Sequence, residues 1–86
     1  MMGKLYFFYG TECTHCHEMD PLNLKLEKEL KIKLEKVEVW HNEKNADLLR
    51  KLAEGKCMGI PFYYNENNKK WICGNTKYEE LKKWAK

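Results

Sequence analysis

The stretch TECTHCH, Thr11 to His17, sets two cysteines three positions apart, with one histidine between them and another directly after. Three chemistries use that spacing: a redox dithiol, half of a zinc site, and c-type haem attachment, whose motif is literally Cys-x-x-Cys-His. The flanking residues discriminate among them. Upstream, KLYFFY (Lys4 to Tyr9) is a continuous apolar and aromatic run, the mark of a strand buried on both faces, and Gly10 ends it. Downstream, Leu22, Leu26 and Leu30 recur on one helical face, and Pro21 inside that stretch is expected to kink the helix. Cys13 therefore falls between a buried strand and the start of a helix.

That placement favours thiol chemistry. The free N–H groups and the dipole at a helix N-terminus stabilise an anion, and a thiolate is one. Cys13 is expected at or next to the N-cap, partly exposed, with a pKa below the free value of about 8.5. Cys16 lies one turn further on the same face and should be buried. Its thiol can hydrogen-bond the Cys13 thiolate and later attack a mixed disulfide. His15 adds a positive charge or a donor beside the same sulfur. Stabilising the thiolate makes the disulfide a stronger electron acceptor. Haem would displace the core that the preceding strand needs. A structural zinc site needs four ligands, usually from two knuckles, and the other cysteines, Cys57 and Cys73, do not form a second knuckle.

Working outward, LEKVEVW (Leu34 to Trp40) alternates Val37 with Val39 and reads as a second strand, expected at the sheet edge with Glu38 exposed. NADLLRKLAEG is a short helix closed by Gly55. PFYYN and KWICG are two strands of a hairpin turning at Asn67-Asn68. TKYEELKKWAK opens with Thr76 and Glu79 at capping-box spacing, and Tyr78, Leu81 and Ala85 share a face. The order is β-α-β-α-β-β-α. The fold class is α/β: a parallel βαβ unit, then an antiparallel hairpin, in a four-stranded mixed sheet with helices on both faces. His17 reads as a solvated first-turn residue and His41 as a loop residue. Trp40, Trp71 and Trp84 read as packing residues, with a place in a substrate groove as the alternative for Trp40.

The 86 residues suffice for one domain, 1–86, and 43% apolar content suits a globular chain. The net charge of +3 is spread as lysines alternating with glutamates, a solvated surface rather than a nucleic-acid stripe. No segment approaches the ~18 apolar residues of a membrane span, and the N-terminal run is too short for a signal peptide. A cytoplasmic location is the expectation. There, four cysteines point to catalysis or metal rather than to a disulfide framework.

The chain resembles the thioredoxin superfamily in its small, glutaredoxin-sized form. The resemblance rests on a strand followed by Cys13-Thr14-His15-Cys16 and a helix, on Pro21 five residues after the second cysteine, and on Gly59-Ile60-Pro61 ahead of the hairpin. It spans nearly the whole chain. It implies a thiol–disulfide oxidoreductase with Cys13 as nucleophile, Cys16 as resolving thiol and His15 as tuner of the potential. A cis peptide at Pro61 is implied, with Ile60 and Pro61 presenting backbone groups to an extended substrate and Thr14 and Gly74 completing the contact. The Cys-x-His-Cys centre looks more like protein disulfide isomerase and the periplasmic disulfide-forming oxidases than like thioredoxin itself.

There are departures. Phe7 stands where thioredoxins carry a buried Asp, and Glu12 where they carry Trp; a carboxylate there opposes the Cys13 thiolate. Cys73-Gly74 stands where glutaredoxins usually have Gly-Gly. The implied partners are protein disulfides, with a reductase or glutathione as electron source. A monomer that binds neither nucleic acid nor membrane and needs no cofactor is expected. The alternatives are a glutathione-dependent glutaredoxin, with glutathione as co-substrate, and a zinc-binding module using Cys13, Cys16, Cys57 and Cys73.

A hairpin turning at Asn67-Asn68 sets Cys73 opposite Phe62 and Gly74 opposite Pro61, which brings Cys73 beside the loop that carries Cys57. The two sulfurs are expected to approach each other on the active-site side. Three readings of this second pair stay open: two small buried apolar residues, a disulfide (structural or relaying electrons from Cys13–Cys16), or a metal pair.

Overall fold

The computed structural model describes residues 3–86; Met1 and Met2, part of the single domain expected from the sequence, lie outside the described residues. The elements run β1 (Leu5–Tyr9), α1 (Thr14–Glu18), α2 (Asp20–Leu30), β2 (Glu35–Glu38), α3 (Glu43–Ala53), β3 (Phe62–Asn65), β4 (Trp71–Cys73) and α4 (Tyr78–Ala85). The sheet order is β2-β1-β3-β4, with β1 parallel to β2 and antiparallel to β3, and β3 antiparallel to β4. This is the expected four-stranded mixed α/β sheet.

The central place of β1 explains its composition. Leu5, Tyr6, Phe7 and Phe8 are all buried because both faces of the strand are covered. Leu5 and Phe7 face one side, with Tyr63, Leu26, Leu81 and Trp84. Phe7 packs on Tyr63 at 4.9 Å between ring centroids, and Trp84 meets Tyr63 edge-on at 5.1 Å. Tyr6 and Phe8 face the other side with Val37, Val39, Ala53 and Phe62, closed by the apolar face of α3. The period-2 alternation of a strand thus divides one apolar run between two cores.

The expected single kinked helix is instead two helices. The α1 helix stops at Met19, whose N–H bonds back to the carbonyls of Cys16 and His17, and α2 restarts with Pro21 in its first turn. Pro21 has no N–H to continue the ladder to His17, but its fixed φ suits a helix start. So Pro21 opens a helix here rather than bending one. The capping box also fails: the N-cap of α4 is Lys77, without a side-chain cap bond, so Thr76 is not the cap residue.

The hairpin keeps the expected register, Phe62 opposite Cys73, but not the tight turn. Residues 66–70 form a wider loop, with Asn65 N–H on Lys70 O, Lys69 N–H on Asn65 O, and Lys69 at φ 62°. Asn65 side-chain groups organise it: Oδ1 accepts from Asn67 N–H at 2.8 Å, while Nδ2 donates to Trp84 O at 2.8 Å. A buried asparagine with both ends occupied holds the loop and the end of α4 together.

Candidate active site

The C-terminal end of β1 delivers the chain to Gly10, whose carbonyl accepts the Cys13 N–H at 3.0 Å. A Cβ at Gly10 would run into the Trp40 ring, so glycine lets the indole lie over this turn. Cys13 is then the N-cap of α1, in an extended conformation, and its Sγ accepts the Cys16 N–H at 3.2 Å. A backbone donor aimed at a sulfur is what a thiolate requires. Cys13 and Cys16 are joined as a disulfide, with their Cα atoms 5.2 Å apart.

Cys16 is fully buried, as expected. Cys13 is not partly exposed: only 6% of its surface is accessible. Bonding to Cys16 holds its sulfur against the core cluster that contains both cysteines, and Ile60 packs on the same cluster.

The polar surroundings differ from the expectation in an instructive way. The His15 ring is exposed and donates from Nδ1 to Glu18 Oε1 at 3.2 Å, while the hydrogen bond at Cys13 Sγ comes from the Cys16 N–H and not from the imidazole. Glu18 also accepts from Asn75 Nδ2 at 2.7 Å, which ties α1 to the segment after β4. His17 is more than a solvated residue. Its Nδ1 donates to Asp20 at 3.0 Å and its Nε2 to Thr11 O at 2.6 Å. Only the imidazolium can donate from both nitrogens, so Asp20 first, and then the Thr11 carbonyl, raise its pKa.

His41 is likewise more than a loop residue. Its Nε2 donates to Glu12 at 2.8 Å, which raises the His41 pKa and gives Glu12 a cationic partner. The Glu12 carboxylate is thereby turned to His41, in the loop after β2. Glu38, expected to be exposed, is half-buried. Its carboxylate accepts from Thr11 N–H at 2.9 Å, Thr11 Oγ1 at 3.0 Å and His41 N–H at 2.8 Å. Partial burial pushes its pKa up, but these bonds outweigh burial and leave it below the usual value. Glu38 thus fastens the loop that leads into Cys13. The sequence signal was available, an acid between two valines at a strand end, but its partners are far away in the chain.

Beside the dithiol, the Ile60–Pro61 peptide is cis. Pro61 is fully buried and its carbonyl accepts the Gly74 N–H at 2.8 Å. Pro61 therefore does not offer its carbonyl to a substrate. Ile60, half-buried, makes no backbone hydrogen bond among the described residues and keeps both groups free. Gly74 adopts φ 87°, a region that suits glycine, and Thr14 is exposed at the start of α1. Of the tryptophans, Trp84 is buried, whereas Trp40 and Trp71 are 52% and 42% exposed and are not core residues.

Cys57 and Cys73 form a second disulfide with Cα atoms 5.5 Å apart. The reading as two buried apolar thiols is thereby excluded: Cys57 is half-buried and Cys73 exposed. Cys57 packs with the Phe8 and Phe62 cluster, and Cys73 stands directly opposite Phe62, so this bond lies on the α3 side of the sheet. The Cys13–Cys16 pair lies in the cluster on the other side. The four sulfurs do not converge into one zinc site. Among the described residues, no three His, Cys, Asp or Glu side chains come together to hold a metal ion.

No family model matches the chain, and no curated protein matches it in sequence. In three dimensions it is similar to a crystal structure of a mutant of the thioredoxin-like protein BC3987, with a TM-score of 0.64 and 16% identity, over 96% of this chain and 95% of that one. The chain has a thioredoxin-like fold, with the Cys13–Cys16 pair at the start of its first helix.

Proposed function

We propose that this chain is a thiol–disulfide oxidoreductase that exchanges electrons with protein disulfides. The observation that carries the reading is Cys13 at the helix N-cap, with the Cys16 N–H directed at its sulfur. In the reducing direction, the Cys13 thiolate attacks a substrate disulfide, forming a mixed disulfide and releasing one substrate thiolate. Cys16 then attacks Cys13 Sγ, closing the Cys13–Cys16 bond and releasing the second substrate thiol. Two electrons pass to the substrate, and a reductase or glutathione restores the dithiol.

Proton handling differs from a site with a buried acid. The buried polar residues among the described ones are Asn23 and Asn65, and Phe7 fills the core beneath the dithiol. The Cys16 proton therefore leaves to solvent or to the departing substrate thiolate. The Ile60 backbone is the natural rail for an extended substrate, with exposed Trp40 beside Gly10 as an apolar contact. A monomer in the cytoplasm, needing no resident cofactor, fits this reading. No helix among the described residues is long and apolar enough to cross a membrane.

A redox titration of Cys13–Cys16, combined with turnover on insulin disulfides, tests the proposal. Cys16→Ser is expected to accumulate mixed disulfides through Cys13. Normal turnover by Cys16→Ser would refute the two-thiol mechanism. Comparing glutathione with a thioredoxin reductase as electron source separates the glutaredoxin reading.

A further inference from the structure

The second disulfide joins a loop to a strand in a way that the exchange chemistry of Cys13 and Cys16 does not require. Residues 54–61, between α3 and β3, have no regular secondary structure. Cys57 is held at one side by its N–H on Ala53 O at 3.1 Å. Beyond it, Met58, Gly59 and Ile60 make no backbone hydrogen bond among the described residues, and Met58 is fully exposed. Pro61 is then held by the Gly74 N–H. The bond from Cys57 to Cys73 closes this segment onto β4, next to the same Gly74. It is the covalent latch of the segment that packs Ile60 against the Cys13–Cys16 cluster.

Two features suit a bond that opens. Both residues can be reached from outside: Cys73 is exposed, and half-buried Cys57 lines an open cleft of about 740 Å³ with Leu49, Ala53, Met58 and Gly59. Exposed disulfides are the labile and regulatory ones. The reduced state also has a place for its proton: Cys57 Sγ lies 3.3 Å from Gly59 O, so a thiol there donates to that carbonyl.

We propose that Cys57–Cys73 is a second thiol–disulfide site, opened by an external dithiol, and that its state sets how firmly the Met58–Pro61 segment is held beside Cys13–Cys16. A thiolate of the dithiol attacks Cys73 Sγ, and the sulfur–sulfur bond breaks with Cys57 leaving as a thiolate that takes up a proton. The second thiol of the reductant then attacks the sulfur of its own first thiol in the mixed disulfide and releases Cys73 as a thiol. The protein disulfide is reduced by two electrons and the dithiol becomes a cyclic disulfide. The partner is external because the sheet separates the two protein pairs. The consequence for turnover rests on the function proposed above, whereas the opening itself does not.

The test uses the full-length chain carrying Cys13→Ser and Cys16→Ser, so that only the second pair titrates, with the wild-type chain alongside. Each is equilibrated with reduced and oxidised dithiothreitol in graded ratios, alkylated without denaturant, and mapped by peptide mass. Cys57 and Cys73 are expected to become alkylated together and to re-form their bond on reoxidation, in both chains. Alkylation that appears only after unfolding would overturn the proposal. Amide exchange gives the second readout: Gly74 N–H, which bonds Pro61 O, is expected to exchange about tenfold faster once the pair is open, while β1 amides keep their protection. Unchanged Gly74 exchange would overturn the latch. Reversible opening in a wild-type chain that fails to reduce insulin would sustain the second site while removing the function proposed for the first.

Discussion

The two disulfides stand at the same end of the sheet and on opposite sides of it, and they are built differently. Cys13 and Cys16 are three positions apart, on one turn of helix, within a core cluster. Cys57 and Cys73 are sixteen positions apart, one on an irregular segment and one at the end of a three-residue strand. The first is held by its own element, with a backbone donor on the attacking sulfur. The second does the holding. The first pair sits on a backbone that its own helix fixes, and the second cross-links a segment whose middle, Met58 to Ile60, makes no backbone hydrogen bond among the described residues.

Activity separates the pairs most sharply. Cys13→Ser is expected to reduce insulin turnover to the uncatalysed background, whereas the Cys57→Ser, Cys73→Ser chain keeps measurable turnover. Loss of all turnover in the latter would erase the distinction. Next in size are the two cores: Phe7→Ala on the Cys13 side and Phe62→Ala on the Cys57 side should each destabilise by about 3–5 kcal/mol in urea unfolding, since both rings are fully buried. A cost under about 1 kcal/mol at either would mean that face is loosely packed.

Cross-link removal comes third. The loop-entropy relation gives about 3 kcal/mol for the Cys57–Cys73 loop and about 2 kcal/mol for the Cys13–Cys16 loop. Thermal unfolding of the two double-serine chains, against oxidised wild type, checks that order, and an inverted order would show that strain or residual structure dominates.

The smallest effect is electrostatic. Glu12 raises the His41 pKa above 6.5, so this link is fully present below about pH 6.5 and is lost as pH rises through the raised value. Above it, Glu12 loses its cationic partner. An imidazole titration by NMR should place His41 above 6.5, and Glu12→Gln should bring it down. A His41 midpoint unmoved by Glu12→Gln would dissociate the pair.

Much of the fold was legible because its signals are local. The unbroken run at Lys4–Tyr9 could only be a strand covered on both sides, and the asparagine pair centred the hairpin closely enough to place Cys73 opposite Phe62. The Cys13-x-x-Cys16 spacing and the buried strand before it located the dithiol. What stayed hidden depends on contacts between distant residues. Thr11 and Glu38 are 27 positions apart, and Glu12 and His41 are 29. No spacing rule reports such a pairing. The burial of Cys13 was not legible because helix position alone does not show that its sulfur is held to Cys16 within a core cluster that residues from β3 and α4 complete. The helix break at Met19 was half legible: proline announced a discontinuity, but both a kink and a new start satisfy it.

The strand order also decides how the molecule behaves toward copies of itself. The two strands with an open side are the short ones: β2 has four residues, with Glu35 and Lys36 turned to solvent, and β4 has three, preceded by Lys69 and Lys70. Short, charged borders are poor templates for a neighbouring backbone. The long hydrophobic strand that would be hazardous there, β1, is enclosed between β2 and β3. The molecule therefore presents little open backbone on which extended segments, its own copies included, could stack into aggregates.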